Sequence, residues 1–224
     1  MKKLAAALAL SLLPLAFAAQ AEITATDVVG RKVTVPDVPK RVVLGFYYED
    51  YLAIAGPGSL DRVVGLSLTT WKDWRPKQFA AYEKALPKLK TLATFSYEAL
   101  GESVKQIEAA GIPVLVLDYL SQTVDKHVAS TLALGKIMGQ EKRAQELADN
   151  YRKAFEDIDA RIKKAGPTKK KVYFELAQKG ASEVGNSYGN SMWGALVTRL
   201  GGHNIADGQV GNWGPLSPEY VLSQ

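Results

Sequence analysis

Four short stretches carry the side chains able to do chemistry, and aromatic rings dominate all of them. They are Phe46-Tyr47-Tyr48-Glu49, Trp71-Lys72-Asp73-Trp74-Arg75, Asp118-Tyr119, and Glu175 with the segment through Tyr188, Asn190 and Trp193. Tyrosine and tryptophan faces suit large, partly apolar ligands, and a guanidinium beside two indoles, as at Arg75, can hold an anionic group bidentately. Tyr47 and Tyr48 are adjacent, so one can pack inward while the other reaches a ligand. Each stretch also has a plainer reading. Trp71 and Trp74 would cover the helix that follows, Arg75 would be a surface charge, and Ser187-Tyr188-Gly189-Asn190-Ser191 would be a capped loop, not an anion site at a helix N-terminus. Glu175 continues a buried strand, where a carboxylate needs a partner from ligand or protein.

Hydrolytic chemistry is poorly served. There are two histidines, His127, expected on the outer face of a helix, and His203, in the turn Gly202-His203-Asn204. No HExxH pair, phosphate-binding GxxxxGK loop or GxSxG elbow occurs. Nothing in the spacing favours a Ser191-His203-Asp207 triad or a two-histidine metal site. The expectation is a non-enzymatic protein with no catalytic residue, no metal site and no resident cofactor.

The elements that must position these rings alternate. Ile23 to Val35 alternates about Gly30 as a short hairpin. Lys40 to Gly45 is an apolar strand followed by a helix ending near Ala55, and Arg62 to Leu66 is a strand followed by the loop Ser67 to Pro76 and a helix Lys77 to Ala85. Ser96 to Ala110 is helical. Val114-Leu115-Val116-Leu117 is a continuous apolar run of the kind found in sheets covered on both faces, and a helix follows from about Val124 to Met138. Lys171 to Leu176 reads as a strand, and Asn190 or Ser191 caps a helix to Leu200. Ser217-Pro218-Glu219 starts another. Repeated strand-then-helix order argues for an α/β architecture with largely parallel sheets, whose ligands gather at the strands' carboxyl ends; the four aromatic stretches stand at such ends.

Between these halves, Glu141 to Lys164 has no Gly or Pro and carries apolar residues at 144, 147, 148, 151, 155, 158 and 162, the spacing of one helix face. A helix of this length reaches roughly 36 Å. Acid-before-base pairs four apart, Asp149 with Lys153, Asp157 with Arg161 and Asp159 with Lys163, would support its wet side, and Gly166-Pro167 stops it. Periodicity alone fits equally a strut between two lobes and a covering helix of one domain.

The first 21 residues, with two lysines, a short apolar run and the ending Ala19-Gln20-Ala21, read as a cleavable export signal, leaving about 200 residues for one large domain or two small ones. The chain has no cysteine, which excludes disulfides, thiolate metal sites and a cysteine-linked lipid anchor, so a protein free in a periplasm is expected. Removing Lys2 and Lys3 lowers the formal charge from +5 to +3. That is too mild to indicate nucleic acid, and Lys169-Lys170-Lys171 reads as a solvated turn.

The opening ITATDVVGRKVTVPDVPKRVV, the long helix and the stretch LVTRLGGHNIADGQVGNWGPLSPEYVL together resemble the periplasmic substrate-binding proteins of iron-chelate and cobalamin ABC importers. The resemblance implies two Rossmann-like α/β lobes joined by a rigid helix, with a signal segment 1–21, a first lobe 22–140, the helix 141–164 and a second lobe 165–224. It favours the strut. It also implies a monomer that captures a small-molecule metal chelate in the cleft, ferric siderophore first and haem, cobalamin or a nickel chelate as alternatives, and delivers it to an inner-membrane permease. Tyrosine phenolates could in such a site ligate Fe(III) directly. Glu219 matches the family's second-lobe docking glutamate. The family pattern leads to a further strand and helix near Thr91 to Tyr97, so the first lobe is expected to lack a strand-helix segment and the second to be truncated, with one convincing strand.

Overall fold

The computed structural model describes residues 22–166, 168, 170–176 and 185–224, with no side-chain description at 57 and 97–102. The expected export signal lies outside the described residues.

The opening hairpin forms as read: β1 (Ile23–Thr26) pairs antiparallel with β2 (Lys32–Val35). Its turn is held by the buried Asp27, whose carboxylate accepts the Val29 N–H at 3.1 Å and the Arg31 N–H at 2.9 Å, and pairs with the Arg31 guanidinium at 2.7 Å. Burial alone would push the Asp27 carboxyl up, but these donors and the Arg31 charge outweigh it and hold it below the usual carboxylate range. Arg31 reaches onward to Glu108 and to the Val114 carbonyl, clamping the hairpin to a later segment.

A parallel sheet follows in the order β3 (Val42–Leu44), β4 (Val63–Ser67), β5 (Ala93–Phe95). Helix α1 (Tyr48–Ala55) follows β3, α2 (Pro76–Ala85) follows β4, and α3 (Tyr97–Ala109) follows β5. The sequence reading differs here in two ways. Residues 93–95 are a strand, where none was expected, because they lie in register along the free edge of β4. Conversely, Val114 to Leu117 joins no ladder. It runs extended and half-buried, with Leu115 and Leu117 packed on the core and the Val116 carbonyl accepting the Val28 N–H at 3.4 Å. Its apolar residues are used for packing against the hairpin side, which periodicity cannot distinguish from burial within a sheet.

Helix α4 (Val124–Ile137) is capped by Thr123, whose hydroxyl accepts from the Lys126 N–H at 3.4 Å. It turns through Gly139 into α5 (Glu141–Ala165), the long helix, one residue longer than read and stopped by Gly166 at φ +77°. The two pack closely because Gly135 of α4 lies against Ala144 of α5, where any side chain would collide with the Ala144 methyl. Of the three anticipated ion pairs along α5, Asp157–Arg161 forms at 2.8 Å. Asp149 instead pairs with Arg152, and Asp159 with Arg199.

The second half has more strands than its sequence announced. β6 (Lys171–Val172) pairs in parallel with β8 (His203–Asn204), and β7 (Asn186–Tyr188) antiparallel with β9 (Trp213–Pro215). Pairing of the expected 171–176 strand is limited to its first two residues. The others were missed because Asn-Ser-Tyr and Trp-Gly-Pro carry no apolar alternation; they pair only because the intervening helix and β8 return the chain alongside β7. Helices α6 (Met192–Arg199) and α7 (Pro218–Leu222) complete the chain, α7 capped by Ser217 accepting from the Tyr220 N–H at 3.1 Å.

The described residues form two cores. The larger gathers the hairpin, the parallel sheet, α1, α2, α4 and the start of α5 around Tyr48, Tyr51, Leu66, Trp71 and Ala144. The smaller gathers Ile205, Ala206 and Leu216 with Tyr173, Val210, Tyr220 and Val221. Helix α5 is anchored in the first through Ala144 and Leu147, and its far end meets α6 of the second half through Phe155, Asp159 and Arg199. The helix is a strut.

Candidate functional site

The chain leaves β3 through Tyr47, which sits in the left-handed region at φ +49°. A side chain larger than glycine is held there at a cost of order 1–3 kcal/mol. The kink sends the two neighbouring tyrosines apart. Tyr48 goes inward, 1% exposed, with its ring 3.9 Å from the Trp71 ring and edge-on to Tyr82 at 6.1 Å. Tyr47 stays half-buried, meeting Phe46 edge-on at 4.9 Å and Tyr119 at 5.0 Å.

Trp71 lies in a wide π-helical turn (Thr69–Asp73) and is fully buried, with no acceptor for its indole N–H among the described residues. It shapes the floor and offers no face to a ligand. Trp74, three residues on, is 57% exposed and lies edge-on to Phe46 at 5.9 Å. Arg75 leans back over the Tyr48 ring, its guanidinium carbon 5.5 Å from the ring centre, and donates to the Tyr48 hydroxyl at 3.4 Å. Being half-buried, it keeps part of its fork open to solvent.

Burial pushes the Tyr48 phenol up to about 12, the Glu49 charge adding and Arg75 opposing. Burial raises Tyr119 further still, against the hydrogen bond to Thr131. Both residues are buried and their hydroxyls engaged by protein, Tyr48 with Arg75 and Tyr119 with Thr131. Tyr119 is 6% exposed and shares a 3.3 Å hydrogen bond with the Thr131 hydroxyl.

Asp118 is occupied by its own loop. Burial would raise its carboxyl, but the Ser121 hydroxyl at 2.7 Å and Lys126 at 2.9 Å hold it below the ordinary range. His127 is not on an outer face. It is half-buried, stacked flat on Tyr151 of the strut at 3.6 Å and edge-on to Tyr119 at 4.7 Å, and burial lowers its pKa.

On the far side, Glu175 is exposed, not buried, and accepts the Gly185 N–H at 2.9 Å, so it ties a loop to the strand end. The ring that matters there is its neighbour Phe174. Trp193 stacks on it at 5.5 Å while remaining 47% exposed, and Tyr188 lies 6.0 Å away. Asn190 is exposed at the turn before α6. Ser191 precedes the helix as expected, but its hydroxyl donates to the Asn212 carbonyl. It is thereby committed to backbone, not to an imidazole, and His203 is exposed in β8. The first N–H of α6, on Met192, donates to the Leu120 carbonyl at 3.1 Å, and the Gln122 amide lies 3.9 Å from the Met192 sulfur. The anion site anticipated at this helix start is thus partly filled by protein.

The hydrogen bond from Met192 to Leu120 links the loop after Tyr119 to the start of α6, where Trp193 follows. Sequence reasoning named Phe46 only within its stretch, placed His127 on an outer helix face and Tyr151 on the apolar face of the long helix, and passed over Phe174 as part of a strand. Phe46 had a signal in its position between a strand and two tyrosines; Phe174 had one in its place at the end of an apolar run, beside Tyr173.

Aromatic faces on two α/β halves bridged by one long helix are the geometry of a ligand-binding protein. Residues 92–224 match the family described as periplasmic binding protein, and the chain belongs to that family. It is similar to the TroA-like periplasmic binding protein FepB from Veillonella parvula, with 26% identity and a TM-score of 0.76, covering 90% of this chain and 67% of that one. In fold it also resembles the heme binding protein HmuT (20% identity, TM-score 0.57, 91% and 69% covered) and the Haemophilus influenzae molybdate-binding protein MolA (18%, 0.64, 89% and 71%). A curated relative, the ABC transporter substrate-binding lipoprotein YvrC of Bacillus subtilis, is 23% identical over 214 residues. That match takes in 89% of this chain and 66% of the relative, so the chain spans about two thirds of its length. The family and these relatives are binding proteins, not enzymes.

Proposed function

We propose that this chain is the solute-binding component of an ABC importer that captures a ferric chelate of the siderophore type in the periplasm and delivers it to an inner-membrane permease. The lobes would be residues 22–140 and 165–224, joined by 141–164, and the protein would act as a monomer. YvrC is a lipoprotein, so it lends no support to the unanchored state expected from the absence of cysteine.

The observation that carries the ligand class is the pair of half-exposed indoles, Trp74 after the 69–73 turn and Trp193 in the first turn of α6, each backed by a phenylalanine, on opposite halves. Large flat faces suit a bulky, partly apolar chelate, and the open side of Arg75 suits its negative charge. A small oxyanion such as the molybdate of MolA calls for converging N–H and O–H donors, not indoles. Haem, as in HmuT, would use the same faces, and cobalamin or a nickel chelate remains an alternative cargo. Glu219, exposed in the first turn of α7, is the proposed permease contact.

Tryptophan emission titrated with a ferric tris-catecholate, hemin and cobalamin tests the reading. Saturable quenching by the catecholate, reduced in Trp74→Ala and Trp193→Ala, is expected; a folded protein answering none of the three sinks it. Glu219→Arg should leave that titration unchanged while lowering uptake in cells that depend on this importer.

A further inference from the structure

The rings of the first half form one unbroken series that leaves the ligand face and ends on the second half. Trp74 meets Phe46 at 5.9 Å, Phe46 meets Tyr47 at 4.9 Å, and Tyr47 meets Tyr119 at 5.0 Å. Tyr119 meets His127 at 4.7 Å, and His127 lies flat on Tyr151 of the strut at 3.6 Å. Tyr151 touches Phe155 at 4.7 Å, and Arg199 of α6 stands over the Phe155 ring at 4.4 Å, pinned to Asp159 of the same helix at 2.7 Å.

We infer that His127 and Tyr151 are positioning residues for the ligand face, setting the Tyr47 and Trp74 rings through Tyr119 and linking their orientation to the strut. The inference rests on the reading of those rings as the ligand's seat.

Three observations carry it. Tyr47 occupies a strained backbone conformation, so ring contacts at its side chain must help hold it. Tyr119 is the ring on which Tyr47 leans, and its hydroxyl is fixed by Thr131 while its edge is fixed by His127. The His127–Tyr151 stack borders a cavity of about 210 Å³, lined also by Asp50, Ile54 and Leu147, so one flank of the stack is not packed and its position can adjust. The Tyr151 hydroxyl is buried with no hydrogen-bond partner among the described residues, so the ring, not the phenol, makes the connection.

The stack joins α4 to α5, and α5 is the element shared by both halves. A small rotation of the strut on ligand binding therefore moves the Tyr47 ring, and the reverse holds by reciprocity.

The test uses protein carrying ¹³C-labelled tyrosine rings, with Tyr47 assigned through Tyr47→Phe. His127→Ala and Tyr151→Ala should shift the Tyr47 ring signals, while Tyr173 and Tyr220 in the smaller core stay in place. His127→Phe and Tyr151→Phe, which keep the rings, should return Tyr47 to its wild-type position. Titration with the ferric tris-catecholate and with hemin should then show affinity lowered about three- to tenfold in the two alanine variants and restored in the phenylalanine ones, the range expected for losing one aromatic pair. Unmoved Tyr47 signals in both alanine variants, or an unchanged affinity for a probe that the wild type binds, overturns the inference. Signals shifting equally at Tyr173 and Tyr220 also overturn it, since that marks general loosening. If the wild type binds neither probe, the ligand reading fails, and the ligand-free tyrosine signals alone decide the link.

Discussion

Replacing Arg199 with alanine asks whether the strut holds the second half or merely passes it. The guanidinium donates twice to Asp159, at 3.1 and 2.7 Å, and stands 4.4 Å over Phe155. The side chains of the pair are 29% and 50% exposed, so the ion pair is discounted to about 0.2–1 kcal/mol despite its two-pronged geometry. The ring contact adds about 0.5–1 kcal/mol for a site this open. The expected loss is about 1–2 kcal/mol, or a fall in Tm of roughly 2–8 °C for a chain of this size. Urea melts of Arg199→Ala, Asp159→Ala and the double variant isolate the pair, and a coupling near 0.5 kcal/mol is expected, smaller in 1 M salt because exposed charges are screened. An Arg199→Ala protein as stable as the wild type, with zero coupling, would refute the claim that α5 and α6 are joined energetically.

Gly135→Ala should invert the usual rule that alanine stabilises a helix by up to about 1 kcal/mol over glycine. Its methyl would collide with the Ala144 methyl, and separating α4 from the strut should cost about 1–3 kcal/mol in denaturant melts. Asp27 predicts an acid transition. Its folded pKa lies below the unfolded value near 3.8, so its stabilisation is complete above that value and is lost as pH falls through the folded pKa. Asp27→Asn should flatten the pH dependence of stability in that acid range and lower stability at pH 7 by about 1.5–3 kcal/mol, from the lost charged hydrogen bonds to Arg31; an identical acid profile would count against the assignment.

The sequence by itself determined the elements whose signals are local. The strut was legible because its apolar spacing is a property of the helix alone, and its end because Gly166 supplies a positive φ. The opening hairpin and the helix starts near Val124 and at Ser217 were local in the same sense. What tertiary structure decided were choices between equivalent residues. Nothing in the order Trp71, Trp74 says which indole is buried; the turn at 69–73 settles it by rotating Trp71 onto Tyr48. The same holds for Asp159, which had a lysine four residues on but meets Arg199 forty residues away, because α6 returns against the strut. Val114 to Leu117 is apolar enough for a sheet but joins none, since a strand exists only where a neighbour offers an edge. The His127–Tyr151 stack is the plainest case: two rings on consecutive helices become one surface only when α4 and α5 close on Gly135.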